Sequence, residues 1–206
     1  MRIVAVRTFG ARVADLINEG AVHFEFQYLR IVPEARRPGV LTVKVARLSV
    51  SGDVNKIILD TLALMEHQFK TSQIRVEDEL SSHLPTIQGN AGRLQQVFLN
   101  LFLNAKDAMS NGGTLKISTM NGDAVSVVVS DTGTGIAQEH IQRIYDPFFT
   151  TKAAPQEGQR KGTGLGLSVT YGIIQEHAGK IRVESKPGEG TSFYLDFPLT
   201  RKTVNV

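Results

Sequence analysis

The spacing of apolar and polar residues changes repeatedly after residue 50 and predicts a series of helices and strands. Four segments are predicted helices, the first two from apolar residues at helical intervals: 53–69, 93–109, 138–145 and 165–177. Five segments are predicted strands, the first of them at a sheet edge: 74–80, 114–120, 124–130, 180–185 and 191–197. Asp53 and Asn90 are suited to cap the first two helices, and Asn111-Gly112-Gly113 is typical of a left-handed helix end.

The order of these elements favours an α/β fold. Short turns such as Asn121-Gly-Asp123 join several of the strands, and turns of this kind connect antiparallel neighbours. We therefore expect a two-layer α/β sandwich, in which a mixed, mostly antiparallel sheet carries the helices on one face.

Residues 1–50 have a different pattern and no motif that indicates chemistry. Segments 22–32 and 40–50 resemble strands, a turn at 33–39 separates them, and 12–19 suits a short helix. We expect three parts in the chain: a strand-rich segment of unknown role at 1–50, the main domain at 51–200, and a tail at 201–206.

The composition is that of a soluble globular protein, since 41% of the 206 residues are hydrophobic and 21% are charged. The absence of cysteine excludes disulfides and cysteine-based metal sites. The N-terminus mixes Arg and Asp into its apolar residues, and no apolar run is long enough to cross a bilayer. We expect a cytoplasmic chain with neither a signal peptide nor a membrane segment.

The net charge of +3 would suit nucleic acid only if the basic residues were clustered. Residues 1–50 hold 8 Lys and Arg against 4 Asp and Glu, whereas residues 51–206 hold 15 against 16. The 8 basic residues are scattered, so we expect a solvated surface and no nucleic-acid partner.

The first candidate motif lies on the second predicted helix and reads Asn100-Leu-Phe-Leu-Asn104-Ala-Lys-Asp107. Asn100 and Asn104 are four residues apart and project from one helix face. An amide oxygen suits Mg²⁺, which takes most of its shell from water and phosphate. Taken alone, two such asparagines are more typical of a solvent-exposed face.

The second motif, Asp131-Thr-Gly133-Thr-Gly135-Ile136, directly follows an apolar strand. A carboxylate in this position can accept a hydrogen bond from an exocyclic amine such as that of adenine, and the glycines let the backbone approach a flat ring. An ordinary Asp-Gly turn has the same appearance.

The third motif, Asp146-Pro-Phe148-Phe149-Thr-Thr151-Lys152, places two aromatic rings beside hydroxyls and a cation. Lys152 is a point charge that can reach a terminal phosphate. The alternative is a loop whose Phe residues pack onto the core.

The fourth motif, Gly162-Thr-Gly-Leu-Gly-Leu-Ser168, stands at a predicted helix start, where main-chain N–H groups and the helix dipole attract anions. Its spacing differs from the dinucleotide fingerprint, and the P-loop pattern is absent from the chain. A glycine-rich hinge is the alternative.

Taken in order, these four motifs and the later Gly188-Glu-Gly-Thr191 resemble the N, G1, F and G2 boxes and the final Gly-Thr turn of sensor histidine kinases. That family belongs to the Bergerat-fold (GHKL) ATPase superfamily, with gyrase, heat-shock 90 chaperones and mismatch-repair ATPases. The resemblance covers roughly residues 51–200 and is greatest to the nitrogen-regulation-like branch. It implies a protein histidine kinase that uses ATP and Mg²⁺.

The resemblance also implies a role for each matching residue. Asn104 is the implied Mg²⁺ ligand, Asp131 reads adenine, and Asn100 and Lys152 act on the phosphates. The other implied nucleotide contacts are Asp107, Gly133, Gly135, Ile136, Phe148, Phe149, Thr151, Gly162, Thr163, Gly164, Leu165, Gly166, Leu167 and Thr191. Residues 153–161 correspond to a mobile lid.

Relatives that hydrolyse ATP with water carry a Glu at the position of Asn100. An amide cannot take a proton from water, so the resemblance favours phosphate transfer over hydrolysis.

None of the five histidines lies in the His-Glu-x-x-Asn-Pro-like segment that is phosphorylated in histidine kinases, and residues 1–50 lack the two long helices of a dimerising hairpin. We expect the phosphoacceptor histidine to come from another domain or chain, and a response regulator receiver domain as a further partner. Two alternatives stay open: a non-catalytic nucleotide-binding regulatory module, and an anti-sigma-type serine kinase of the same fold.

Overall fold

A computed structural model describes residues 50–151 and 163–199. The predictions for residues 1–49, the lid at 153–161 and the tail at 201–206 lie outside these ranges. Within them, helices α1 to α4 span Val54–Thr71, Ala91–Ala108, Gln138–Ile141 and Gly166–Glu176. Strands β1 to β7 span Val50–Gly52, Ile74–Leu80, Ile87–Gly89, Gly113–Asn121, Ala124–Asp131, Lys180–Lys186 and Gly190–Pro198.

Five of these strands form one sheet in the order β2-β4-β5-β7-β6. β2 runs parallel to β4, and every other neighbouring pair in this sheet is antiparallel. The short strands β1 and β3 pair with each other. The expected two-layer α/β sandwich with a mixed, mostly antiparallel sheet is confirmed, and the predicted edge strand is β2.

The hydrophobic core lies between the helices and one face of this sheet. Alternate residues of β4, β5 and β7 are buried there, because successive side chains of a strand point to opposite faces. The largest side chains in this core include Phe98 and Phe102 of α2, Ile117 of β4 and Phe197 of β7. The opposite face of the sheet carries polar and charged side chains, such as the ion pair between Lys116 and Glu79.

Both predicted N-caps are present. The Asp53 carboxylate accepts from the Lys56 main-chain N–H at 3.2 Å, and the Asn90 side chain accepts from Arg93 N–H at 3.1 Å. These bonds satisfy N–H groups that a helix start leaves without an intrahelical partner.

Two predicted helix ends differ from the structure. α2 ends at Ala108 with Met109 as its C-cap, so the left-handed Gly112 (φ +82°) comes after an intervening turn. α3 stops at Ile141, where hydrogen bonds between residues three apart, from Arg143 N–H to His140 O and from Asp146 N–H to Arg143 O, take the place of α-helical bonds.

α2 and α4 lie side by side, and α4 is joined to α2 near both of its ends. The Asn100 amide nitrogen donates to Gly166 O at 3.0 Å and to Thr170 Oγ1 at 3.3 Å. At the other end, His177 Nε2 accepts from Asn90 N–H at 3.0 Å. The two helices are therefore held in one fixed relation.

Among residues 50–151 and 163–199, no helix combines the length and apolar character needed to cross a membrane.

Candidate functional site

A cavity of about 510 Å³ opens between α2, the end of β5, the start of α4 and β7. Its position follows from the fold, since α2 packs over the sheet near the place where β5 ends and its antiparallel neighbour β7 begins. Most of the predicted site residues line it: Asn100, Asn104, Asp107, Asp131, Gly135, Ile136, Phe149, Thr151, Thr163, Gly164, Gly166, Leu167 and Thr191.

Among the described residues, three predicted site residues do not line the cavity: Gly133, Phe148 and Leu165. Lys152 and Gly162 lie outside the described residues. Gly133 is buried beneath α2, where an added Cβ would stand 2.6 Å from the Ala108 Cβ, so it serves close packing. Phe148 and Leu165 point outward, and Phe148 is 74% exposed.

The α2 wall of the cavity carries two amides with different surroundings. The Asn100 nitrogen is engaged by Gly166 and Thr170 of α4. The half-buried Asn104 side chain forms no hydrogen bond with any residue that the structure describes. Asn104 thus presents an amide oxygen that no described residue binds, whereas Asn100 fixes the position of α4.

Asp131 is the last residue of β5, and it lines the cavity on the side of the sheet, whereas Asn100 and Asn104 line it from α2. Its carboxylate accepts from the Gly133 N–H at 2.8 Å. Burial raises the pKa of Asp131 above its ordinary value, and hydrogen bonds from the Gly133 and Thr191 main chain partly oppose this rise. The carboxylate is therefore oriented by the backbone while one edge faces the cavity.

Ser185 of β6 is a residue of this region that the sequence motifs did not include. Its hydroxyl accepts from the Ile136 N–H at 2.8 Å and donates to the Gly190 carbonyl at 2.8 Å. It also lies 2.9 Å from the Thr191 hydroxyl. One hydroxyl thus ties together the loop after β5 and the start of β7.

Phe149 forms an aromatic wall whose position is set by two neighbours. The Arg143 guanidinium carbon lies 4.7 Å from the ring centroid, and the His140 ring packs edge-on at 5.4 Å. The adjacent Phe148 has φ +66°, and its N–H donates to Gly164 O at 3.0 Å. Gly164 is required at this contact, because an added Cβ would stand 2.4 Å from the Phe148 carbonyl carbon.

Six further residues line the cavity but were not among the predicted site residues: Leu103, Ala108, Thr134, Ile144, Thr150 and Phe193. Leu103 lies four residues before Asp107, and Ala108 lies four residues after Asn104, so helical spacing could have indicated both. Phe193 follows Thr191 by two residues and shares its sheet face. Ile144 had no such signal, because its placement depends on the turns after α3.

Comparisons of the sequence with protein families and with known proteins agree on one family. Residues 89–201 match the family described as histidine kinase-, DNA gyrase B-, and HSP90-like ATPase. The chain is 37% identical over 164 residues to the sensor histidine kinase ZraS of Escherichia coli strain K12, covering 78% of this chain and 34% of that protein. It is 40% identical over 147 residues to sporulation kinase A of Bacillus subtilis strain 168, covering 71% and 23%.

Comparison with solved structures gives the same family. The nucleotide-free catalytic domain of histidine kinase ThkA superimposes with a TM-score of 0.63 at 30% identity, covering 74% of this chain and 96% of that one. The chain spans about a third or less of the length of the two kinases compared above.

Proposed function

Because the chain belongs to the family of histidine kinase-, DNA gyrase B- and HSP90-like ATPases, we propose that it is the ATP-binding catalytic domain of a two-component sensor histidine kinase. It transfers the γ-phosphate of ATP to a histidine supplied by another domain or chain. The observation that carries this proposal is the joint presence of Asp131 and Asn104 in one cavity that the start of α4 also lines.

The two sides of the cavity suit the two ends of a nucleotide. We assign the adenine to the Asp131 side, because an ionised carboxylate accepts from an exocyclic amine. The phosphates then extend towards α2 and the start of α4 at Gly166. The main-chain N–H groups and dipole of an eleven-residue helix favour an anion at that end.

The residues on the α2 wall fit a magnesium ion that is shared with phosphate. Asn104 offers an oxygen ligand, and Mg²⁺ commonly takes one or two protein ligands and completes its shell with water and phosphate oxygens. In the part of the chain that the structure describes, no three His, Cys, Asp or Glu side chains are grouped to hold a metal by themselves. When bound, the ion would neutralise phosphate charge.

The described residues of the site are suited to positioning the reactants rather than to acid–base chemistry. Asn100 is an amide and its nitrogen is already bonded to α4, so it does not deprotonate water. We therefore infer in-line attack by an incoming imidazole nitrogen on the γ-phosphorus. The new N–P bond forms as the bond to the leaving oxygen breaks, and ADP departs.

Two partners follow from this reaction: a domain bearing the phosphoacceptor histidine, and a receiver domain that takes the phosphate onward. A solved complex of histidine kinase ThkA with response regulator TrrA supports the second, at 28% identity and a TM-score of 0.60.

The test is transfer in trans. Purified chain, γ-labelled ATP and Mg²⁺ are mixed with an isolated histidine-bearing hairpin of a related sensor kinase, and a His→Gln hairpin is the control. We expect label on the intact hairpin alone. Nucleotide binding with no label on several such hairpins would instead favour the non-catalytic regulatory module.

A further inference from the structure

The Ser185 hydroxyl has three polar neighbours, and they determine where its proton lies. The Ile136 N–H can only donate, and it lies 2.8 Å from Ser185 Oγ. The Gly190 carbonyl can only accept, and it also lies at 2.8 Å. A hydroxyl has one proton and two lone pairs. Ser185 therefore gives its proton to Gly190 and uses one lone pair for Ile136.

The third neighbour is the Thr191 hydroxyl at 2.9 Å. Since the Ser185 proton is already engaged, this contact forms only if Thr191 is the donor. Thr191 is 5% exposed and lines the cavity, and its hydroxyl has no other hydrogen bond with the described residues. Its lone pairs are consequently the groups that remain available to a ligand.

We propose that Ser185 is a positioning residue that sets the base specificity of the nucleotide site by holding the Thr191 hydroxyl as an acceptor. This inference rests on the proposed function. With Thr191 and the ionised Asp131 both accepting, this end of the cavity favours a base edge that carries N–H donors. The exocyclic amine of adenine supplies two N–H groups to this pair of acceptors, whereas hypoxanthine supplies one N–H, on N1, beside a carbonyl that places an acceptor against acceptors.

The experiment compares ATP with ITP, which has a carbonyl in place of the exocyclic amine and a proton on the adjacent ring nitrogen N1. Competition against a fluorescent ATP analogue gives both dissociation constants for the wild-type chain and for Ser185→Ala. In the variant, the Thr191 hydroxyl can turn and donate to the ITP carbonyl. We expect the preference for ATP over ITP to fall by about 3- to 10-fold, the range of one hydrogen bond.

A matched control is Ser192→Ala. Ser192 is the next residue of β7, its hydroxyl lies 2.8 Å from Ser130 Oγ, and alternation places it on the other face of the sheet. This variant also removes one hydroxyl from a hydroxyl pair, and we expect it to leave the ATP-to-ITP preference unchanged. Ser185→Thr, which keeps a hydroxyl in a strand, should keep the preference as well.

The route through Thr191 is tested by a double-mutant cycle. In a Thr191→Val background there is no hydroxyl to orient, so adding Ser185→Ala should not alter the preference further. If Ser185→Ala folds poorly, Ser185→Cys replaces it. A thiol is a weaker donor and acceptor, so the preference should fall in the same direction by a smaller factor.

Two outcomes would overturn the inference: an equal loss of ATP and ITP affinity in Ser185→Ala, or an undiminished effect in the Thr191→Val background. Either result would reduce Ser185 to a structural role while the nucleotide site stood. A wild-type chain that binds neither nucleotide would overturn the proposed function, and this inference with it.

Discussion

His177 Nε2 accepts a hydrogen bond from the Asn90 main-chain N–H at 3.0 Å, across 87 positions of sequence. The other ring nitrogen lies 2.7 Å from the Ile173 carbonyl, which can only accept. Nδ1 therefore carries the proton and Nε2 the lone pair. This neutral tautomer joins the end of α4 to the N-cap of α2, the two helices that border the cavity.

Replacing His177 by Ala should lower the free energy of unfolding by about 1–3 kcal/mol, because the Asn90 N–H loses its partner and the ring leaves a gap. Urea denaturation measures the change. His67→Ala on the exposed side of α1 is the control and should have little effect. Equal losses for the two variants would contradict a joining role for His177.

Replacing Asn104 by Ala should weaken ATP binding at least 10-fold when Mg²⁺ is present, because the metal loses its protein ligand. With EDTA in place of Mg²⁺, the effect should be small. Titration of a fluorescent ATP analogue gives both values, and the exposed Asn111→Ala is the control. A loss of the same size with and without Mg²⁺ would remove Asn104 from the metal site.

Asn100→Ala should lower both the melting temperature and the affinity for ATP, since it removes the bonds that fix the start of α4. We expect a loss of about 1–2 kcal/mol in the free energy of unfolding. Thr170→Val removes only the longer, 3.3 Å contact and should cost less. Thermal melts and nucleotide titrations measure both variants, and losses of the same size would show that the Gly166 bond contributes little.

Asp131→Asn tests the buried carboxylate through pH. Burial raises the pKa of Asp131 above the ordinary value of 3.8, so the folded chain holds this proton more tightly than the unfolded chain. The resulting stabilisation is present below pH 3.8 and is lost as pH rises through the folded pKa. Wild type should therefore lose stability relative to Asp131→Asn over that interval, as denaturation at several acid pH values would measure. A constant difference would contradict the assignment.

Tyr145 presents a simpler test. Its hydroxyl is buried without a hydrogen-bond partner in the part of the chain that the structure describes, and burial raises its pKa to about 12. Tyr145→Phe removes an unsatisfied polar group and should leave stability unchanged or raise it by about 1 kcal/mol. Its neighbour Tyr171, 43% exposed with its ring centroid at 5.1 Å, provides Tyr171→Phe as the control. A marked loss for Tyr145→Phe would reveal a missing partner.

Much of the fold could be predicted because local signals decide it. The caps Asp53 and Asn90 and the alternation along β4, β5 and β7 act over a few residues, and the structure shows each of them. The end of α3 could not be predicted in the same way, because residues 142–146 form turns although the sequence pattern there favours a helix.

The candidate site also contains residues that could be predicted from local signals and residues that could not. Motif residues such as Asp131 and Asn104 were predicted to share a site, and they line one cavity. Ser185 was not predicted, because a single serine in a strand carries no local signal. Its importance arises only when strand pairing brings it opposite Thr191.

The pairing of β5 with β7 places Asp131 opposite Thr191. If β7 shifted by one position, Thr191 and Phe193 would both turn to the polar face of the sheet. Ligand affinity therefore reports strand alignment: a misaligned chain could keep its secondary structure and still lose the nucleotide, which makes binding a more sensitive assay of correct folding than circular dichroism.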